Sequence, residues 1–354
     1  MNADLRIRAG VDRGDHRLDV DVEIAAGEVL GVVGPNGAGK STLVDLIAGL
    51  VPATRGRISL GDAVFDDVAS GAWTPVHQRG LGVLFQQPRL IRTADVRDNV
   101  AFGLRVRGVN AADARRRADT WLDAVGVAHR ADAHVDDISG GEAQRVALAR
   151  CLAVDPSALL VDEPFAAVDA AARTGLREVV SRHLRAAERP AVLVTHDPVD
   201  AELLADRLLV LEEGAITQIG TADALRAAPA TPFVAALFEL NVLYGTADDG
   251  VVTVDGWPID LTVADRSTRG PVAVTIAPNA IAVHASAPSG SPRNTWTTTI
   301  ARIEELGDVR RLHLTGARPL TADVTPGAVA DLRLRPGSEV WVAVKATELS
   351  LRPR

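Results

Sequence analysis

Along the first two thirds of the chain, short apolar runs alternate with stretches in which apolar residues recur every three or four positions. Glu28-Val29-Leu30-Gly31-Val32-Val33 predicts a buried strand, and Leu43, Leu46, Ile47 and Leu50 predict a helix stopped by Gly49 and Pro52. Leu159-Leu160-Val161, Ala191-Val192-Leu193-Val194 and Arg207-Leu208-Leu209-Val210-Leu211 read as further buried strands, so residues 1–235 predict an α/β domain with a largely parallel sheet. Between about 88 and 150 the pattern is helical, with Trp121, Leu122 and Val125 on one face and Gly126 as a stop. Pro229 and Pro232 mark the end of that domain. From 236 to 354 the chain is β-rich, with alternating segments separated by Gly, Pro and Asp turns. Residues 272–283 (VAVTIAPNAIAV) and 340–351 (VWVAVKATELSL) look like an internal repeat of strand, small-residue turn and second strand. Two related halves that complete one another's sheet would account for it.

Composition narrows this picture. At 354 residues the chain is too long for one ordinary core, and 47% apolar with 24% charged residues is globular. A net charge of −8 argues against nucleic-acid binding through a broad basic surface, and Arg115-Arg116-Arg117 reads better as a solvated helix face. Cys151, the one cysteine, excludes an internal disulfide and reads as a small buried helix residue. Residues 270–292 lack charged side chains but are broken by four prolines, so no membrane span is expected and work at a membrane would need a partner.

Gly34-Pro35-Asn36-Gly37-Ala38-Gly39-Lys40-Ser41-Thr42 carries the candidate chemistry. It is the phosphate-binding pattern G-x-x-x-x-G-K-[ST] between a strand and a helix, where turning backbone N–H groups cradle a polyphosphate. Lys40 would reach the β- and γ-phosphates, Ser41 would ligate Mg²⁺, and the helix N-terminus adds positive potential. Downstream, the strand Ala158-Leu159-Leu160-Val161 ends in Asp162 and Glu163. Asp162 is placed to hold Mg²⁺ through water, and Glu163 to orient or deprotonate the attacking water.

Ile138-Ser139-Gly140-Gly141-Glu142-Ala143-Gln144-Arg145 resembles the L-S-G-G-Q-x-Q-R signature of ABC-type ATPases. That resemblance implies that Ser139, Gly140 and Gly141 meet the γ-phosphate of a nucleotide held by a second copy of the chain. It extends in order over residues 1–235 and implies roles for three more residues. Gln86 is similar to the Q-loop glutamine that touches Mg²⁺ or water and faces the transport partner. Asp169 resembles the D-loop aspartate at the dimer seam, and His196 the switch histidine at the γ-phosphate. Glu142 and Ala143 depart from the usual glutamines, and the aromatic that usually stacks on adenine near residues 10–17 is missing. Only His16 or Arg17 could replace it, so GTP deserves a trial beside ATP.

The tail resembles the regulatory domain of importer ATPases, and residues 290–354 are similar to the small Mop (TOBE-type) module that binds molybdate or tungstate. Ser291-Pro292-Arg293-Asn294, Leu320-Thr321-Ala322-Asp323-Val324-Thr325 and Val344-Lys345-Ala346-Thr347 carry the likeness. Arg293 and Lys345 would supply charge to an oxyanion, with Ser291, Asn294, Ala346 and Thr347 around it. Trp296 and Trp341 read as core. The expected fold is an ABC-type α/β P-loop domain with a helical subdomain, followed by an all-β OB-like or Mop barrel. The expected function is an ATP- and Mg²⁺-dependent subunit energising molybdate import. It would pair with a second copy of itself and with permease subunits at the cytoplasmic face of the membrane, served by an extracytoplasmic molybdate-binding protein. The same role for sulfate, iron or another solute is the alternative, and a soluble ABC ATPase or an oxyanion sensor is a more distant one.

Overall fold

The computed structural model describes residues 3–14, 16–186, 188–316 and 318–354, with no side-chain description at 16, 170, 171 and 186. One unit spans Met1–Ala222 and a second Asp223–Arg354. In the first, β1 (Leu5–Arg13) and β2 (His16–Ile24) form an antiparallel hairpin. Its period-two apolar positions, Leu5, Ile7, Ala9 and Val11 with Leu18, Val20, Val22 and Ile24, all face the core. After β3 (Val29–Val33) come α1 (Lys40–Ala48), β4 (Arg55–Leu60), β5 (Ala63–Asp67), β6 (Ala72–Trp73) and β7 (Leu81–Leu84). Then follow α2 (Val96–Val106), α3 (Ala111–Ala124), α4 (Gly140–Ala153), β8 (Ala158–Asp162), α5 (Ala170–Ala186), β9 (Ala191–Val194), α6 (Pro198–Leu204), β10 (Arg207–Glu212) and β11 (Ala215–Gly220).

The described strands of this unit join in one sheet of order β6-β5-β4-β1-β2-β11-β10-β3-β9-β8-β7. Only β10, β3, β9, β8 and β7 form the expected continuous parallel ladder; β1, β4, β5 and β6 pair antiparallel, β11 lies antiparallel to β10, and β2 lies antiparallel to β1 and parallel to β11. The largely parallel sheet of the sequence reading is therefore corrected. Tight turns link β1 to β2 and β4 to β5, leaving no chain for a helical crossover. Gly49 does end α1, with φ +83, but Leu50 falls beyond it and is exposed. The last turn of α1 is held by Arg79, whose buried guanidinium donates to the carbonyls of Leu46, Ile47, Phe65 and Thr74.

Helices α2, α3 and α4 share a core of Val100, Leu104, Ala118, Leu122, Val146 and Leu148. Asp95, Asn110 and Ser139 cap them, each accepting a backbone N–H three residues on. Arg115 pairs with Asp98 and Arg116 with Asp113, a solvated face as expected. Cys151 is buried, and burial pushes its thiol up to about 12. No described helix is long and apolar enough to cross a membrane.

The second unit begins within α7 (Ala222–Ala227), which is followed by α8 (Pro232–Leu237). It continues with β12 (Asn241–Asp248), β13 (Val251–Val254), β14 (Asp260–Thr262), β15 (Gly270–Ile276), β16 (Ala282–His284), β17 (Asn294–Leu306), β18 (Val309–Leu314) and β19 (Leu320–Val324). The chain ends with α9 (Pro326–Asp331), β20 (Glu339–Val344) and β21 (Leu349–Pro353). Two five-stranded antiparallel sheets, β14-β13-β12-β15-β21 and β19-β18-β17-β20-β16, enclose one core. The two orders are the same when β12–β16 is laid on β17–β21, with the last strand of each half exchanged into the other half's sheet. The repeated segments are β15–β16 and β20–β21, each broken by a short 3-10 turn. Equivalent asparagines tie the halves: Asn241 bonds the backbone of Ile276 and Thr321, and Asn294 that of Val344 and Thr262.

Candidate functional site

The loop between β3 and α1 turns against the end of β10. A Cβ on Gly34 would lie 2.1 Å from the Leu211 carbonyl oxygen, so only glycine allows that approach. Gly39 enters α1 with φ +101. Asn36, Gly37, Ala38, Gly39, Lys40, Ser41 and Thr42 then line a cavity of about 900 Å³, together with Gln86, Asp162 and Glu163. Segments 162 residues into the chain and 36 residues in thus meet because β8 and β3 are neighbours through β9.

Inside the cavity the polar groups hold one another. Lys40 Nζ donates to the carbonyls of Gly34 at 2.7 Å and Pro35 at 2.9 Å, folding its charge over the loop. Burial lowers its pKa, opposed by Glu163 and Asp162. Ser41 Oγ donates to Asp162 Oδ2 at 3.2 Å. Burial raises the Asp162 pKa, the Ser41 bond working against it. Two oxygens at this spacing, one a buried carboxylate, suit adjacent positions on a small octahedral cation.

Glu163 is 8% exposed and sits at φ +52, a left-handed conformation costly for a residue with a Cβ. His196 Nδ1 lies 2.7 Å from Glu163 Oε2. A turn between β9 and α6 presents the imidazole, with Asp197 capping α6 at Val199 and Asp200. Ser139, Gly140, Gly141 and Asp169 do not line the cavity. Ser139 caps α4 in a box with Glu142, the departure from the expected glutamine: each side chain accepts the other's backbone N–H. Arg130, then the Ser139 N–H, hold the Glu142 carboxyl at about 2. Asp169 caps the start of α5 through Ala172 N–H.

Of the candidates for the nucleotide base, Arg17 lines the cavity; the side chain of His16 lies outside the described residues. Val11, Arg13, Leu18, Glu213 and Gly214 line it too and were missed in the sequence. The alternation in β1 and β2 and the Glu213-Gly214 turn were the available signals.

In the second unit, Ser291, Arg293, Lys345 and Thr347 are exposed and Ala346 is half-buried. Asn294 pairs with Val344 in the β17–β20 ladder, so Arg293 and Lys345 emerge at the same end of it. Asn294 departs from its expected role as an anion donor. It is 2% exposed, and its amide donates to the Thr262 and Val344 carbonyls and accepts Thr262 N–H, which leaves no N–H for a ligand. Trp296 is core, edge-on to Trp257 at 5.0 Å, while Trp341 is half-buried.

Residues 18–166 match the ABC transporter family and residues 290–351 the TOBE domain. Molybdenum import ATP-binding protein ModC of Mycobacterium tuberculosis is 41% identical over 361 residues, covering 99% of this chain and 97% of its own length. Sulfate/thiosulfate import ATP-binding protein CysA 1 of Rhizobium meliloti is 41% identical over 254 residues, 70% of this chain and 72% of its own. The CysA of Nitrosomonas europaea is 33% identical over 94% of this chain and 92% of its own length. Among solved structures, a dimeric ATP-binding cassette in a post-hydrolysis state with ADP and phosphate superposes with a TM-score of 0.55 at 26% identity, over 62% of this chain and 98% of that one. The chain therefore belongs to the ABC transporter family, as an importer ATPase whose ATP-binding cassette is followed by a TOBE domain.

Proposed function

We propose that this chain energises import of molybdate or tungstate through separate permease subunits at the cytoplasmic face of the membrane. The observation that carries the cargo is the reach of one similarity: 41% identity to a molybdenum import protein runs over 99% of the chain, tail included. The same identity to the Rhizobium meliloti sulfate/thiosulfate protein stops at 70%. Sulfate is the second reading, favoured by the near full-length likeness to the Nitrosomonas europaea protein.

The residues divide the work as follows. Backbone N–H groups from Gly34 to Thr42 receive the phosphates, and Lys40 leaves the Gly34 and Pro35 carbonyls to meet them. Ser41, Asp162 and Gln86 would hold Mg²⁺, which supplies charge neutralisation at the β- and γ-phosphates. Glu163 accepts the proton of the attacking water, and His196 orients that carboxylate from 2.7 Å. Ser139, Gly140 and Gly141 stand away from this cavity and complete the site of a second copy arranged head to tail, with Asp169 at the seam. ATP closes that dimer, closure is passed through the Gln86 region to the permease, and hydrolysis reopens it. Arg293 and Lys345, at one end of a ladder with Ser291 and Thr347 beside them, provide a place for an oxyanion that reports cargo abundance.

Disruption of the gene tests the cargo, with molybdate and sulfate accumulation measured separately at low external concentration. Loss of molybdate accumulation alone, restored by the intact gene but not by a Glu163→Gln copy, is the expected result. Loss of sulfate accumulation alone would assign the second reading, and retention of both would separate the chain from either import.

A further inference from the structure

One face of α4 lies against the backbone that follows the β8 strand. Gly141 and Gln144, three residues apart on that helix, share this face. A Cβ on Gly141 would lie 2.7 Å from the Ala167 carbonyl oxygen, so the helix and the 163–169 loop touch backbone to backbone there. Gln144 is 1% exposed, and its Nε2 donates to the Glu163 carbonyl oxygen at 3.2 Å. The same carbonyl accepts Ala166 N–H at 3.3 Å, while Glu163 N–H is bonded to the Val194 carbonyl beside the His196 turn. Glu163 thus keeps its left-handed backbone among three hydrogen bonds, one of them from the side chain of Gln144.

We infer that Gln144 is a positioning residue that couples the two ATP sites of the dimer. This rests on the head-to-tail arrangement proposed above. The N-terminus of α4 meets the γ-phosphate bound by the second copy, while Gln144, on the second turn of the same helix, holds the backbone of this chain's own Glu163. A shift of α4 on capture of the partner's nucleotide is therefore delivered to the carboxylate that activates water here. Gln144 does not line the cavity. On the far side of the loop, Arg173 on α5 donates to the Phe165 carbonyl at 3.1 Å and to Asp197 at 2.9 Å, an anchor that does not involve α4.

Steady-state ATP hydrolysis by the full chain, followed against ATP concentration, tests this. Wild type is expected to give a Hill coefficient approaching two, the number of sites. Gln144→Met keeps the length of the side chain and removes the donor. It is expected to lower the coefficient toward one and kcat by about fivefold, with KM changed less than about twofold. Gln144→Asn, whose amide is too short to reach, is expected to do the same and serves if the methionine variant fails to fold. Arg173→Met, which loosens the loop without touching α4, is expected to lower kcat and leave the coefficient near two. Unchanged cooperativity in both Gln144 variants, or equal loss of it in Arg173→Met, would overturn the coupling role. A non-cooperative wild type whose Glu163→Gln form stays monomeric with ATP would instead remove the dimer reading beneath it.

Discussion

The cavity beside α1 and the asparagine ties of the second unit use polar side chains in opposite ways. In the cavity, Lys40 bonds the loop carbonyls and Ser41 bonds Asp162, while Glu163 pairs with His196 beside it, contacts that an incoming phosphate or cation can replace. In the tail, Asn241 and Asn294 are locked to backbone groups of the other half, where no ligand can substitute without opening a sheet. A polar group with exchangeable partners at a cavity wall is available for chemistry. One whose partners are ladder carbonyls is part of the frame.

Five variants press on that contrast. Glu163→Gln keeps the shape of the site and removes its proposed base, so phosphate release should fall by at least about a hundredfold. Gel filtration with ATP should then show a trapped dimer; hydrolysis near the wild-type rate would take Glu163 out of its role. Asn294→Ala should leave phosphate release intact and destabilise the tail by about 3 kcal/mol, because it takes a partner from Thr262 N–H and from the Thr262 and Val344 carbonyls at partly to fully buried positions. Denaturant unfolding reads this, and Asn241→Ala should cost a similar amount if the two halves are equivalent. Glu142→Ala removes the capping box and should cost about 1 kcal/mol at neutral pH. The folded Glu142 carboxyl is depressed from 4.5 to about 2, so its stabilisation is complete above 4.5 and lost as pH falls through about 2. The gap between wild type and variant in unfolding experiments should close over that window. Arg17→Ala should have the smallest effect, raising KM for ATP about threefold through a lost cation–π contact at the base. An unchanged KM, with an unchanged ratio of ATP to GTP turnover, would put the base elsewhere in the cavity.

The candidate nucleotide-binding residues were legible because each motif follows or opens an element with its own periodic signal. Lys40 comes after a five-residue apolar strand, Glu163 directly after another, and Ser139 caps a largely buried helix. The antiparallel half of the first sheet was harder to read. Its alternation in β1 and β2 is plain once paired, but strand direction depends on which distant segments become neighbours. The repeat in the tail was visible in residues 272–283 and 340–351, although its exchange of last strands needs the pairing of β15 with β21 and β20 with β16. Asn294 was assigned to the wrong task because asparagine donors look alike in sequence whether they face an anion or a carbonyl.

By itself the sequence determined the phosphate loop, the Asp162-Glu163 strand end and the signature cap, since their chemistry resides in contiguous backbone and neighbouring side chains. Only the tertiary structure decided how Gln144 meets Glu163, how Arg79 holds the end of α1, and how Asn241 and Asn294 cross between halves. In each of these the partner is a backbone carbonyl far along the chain. Such a group is identical at every residue, so nothing in the side-chain pattern announces it until folding brings it within reach.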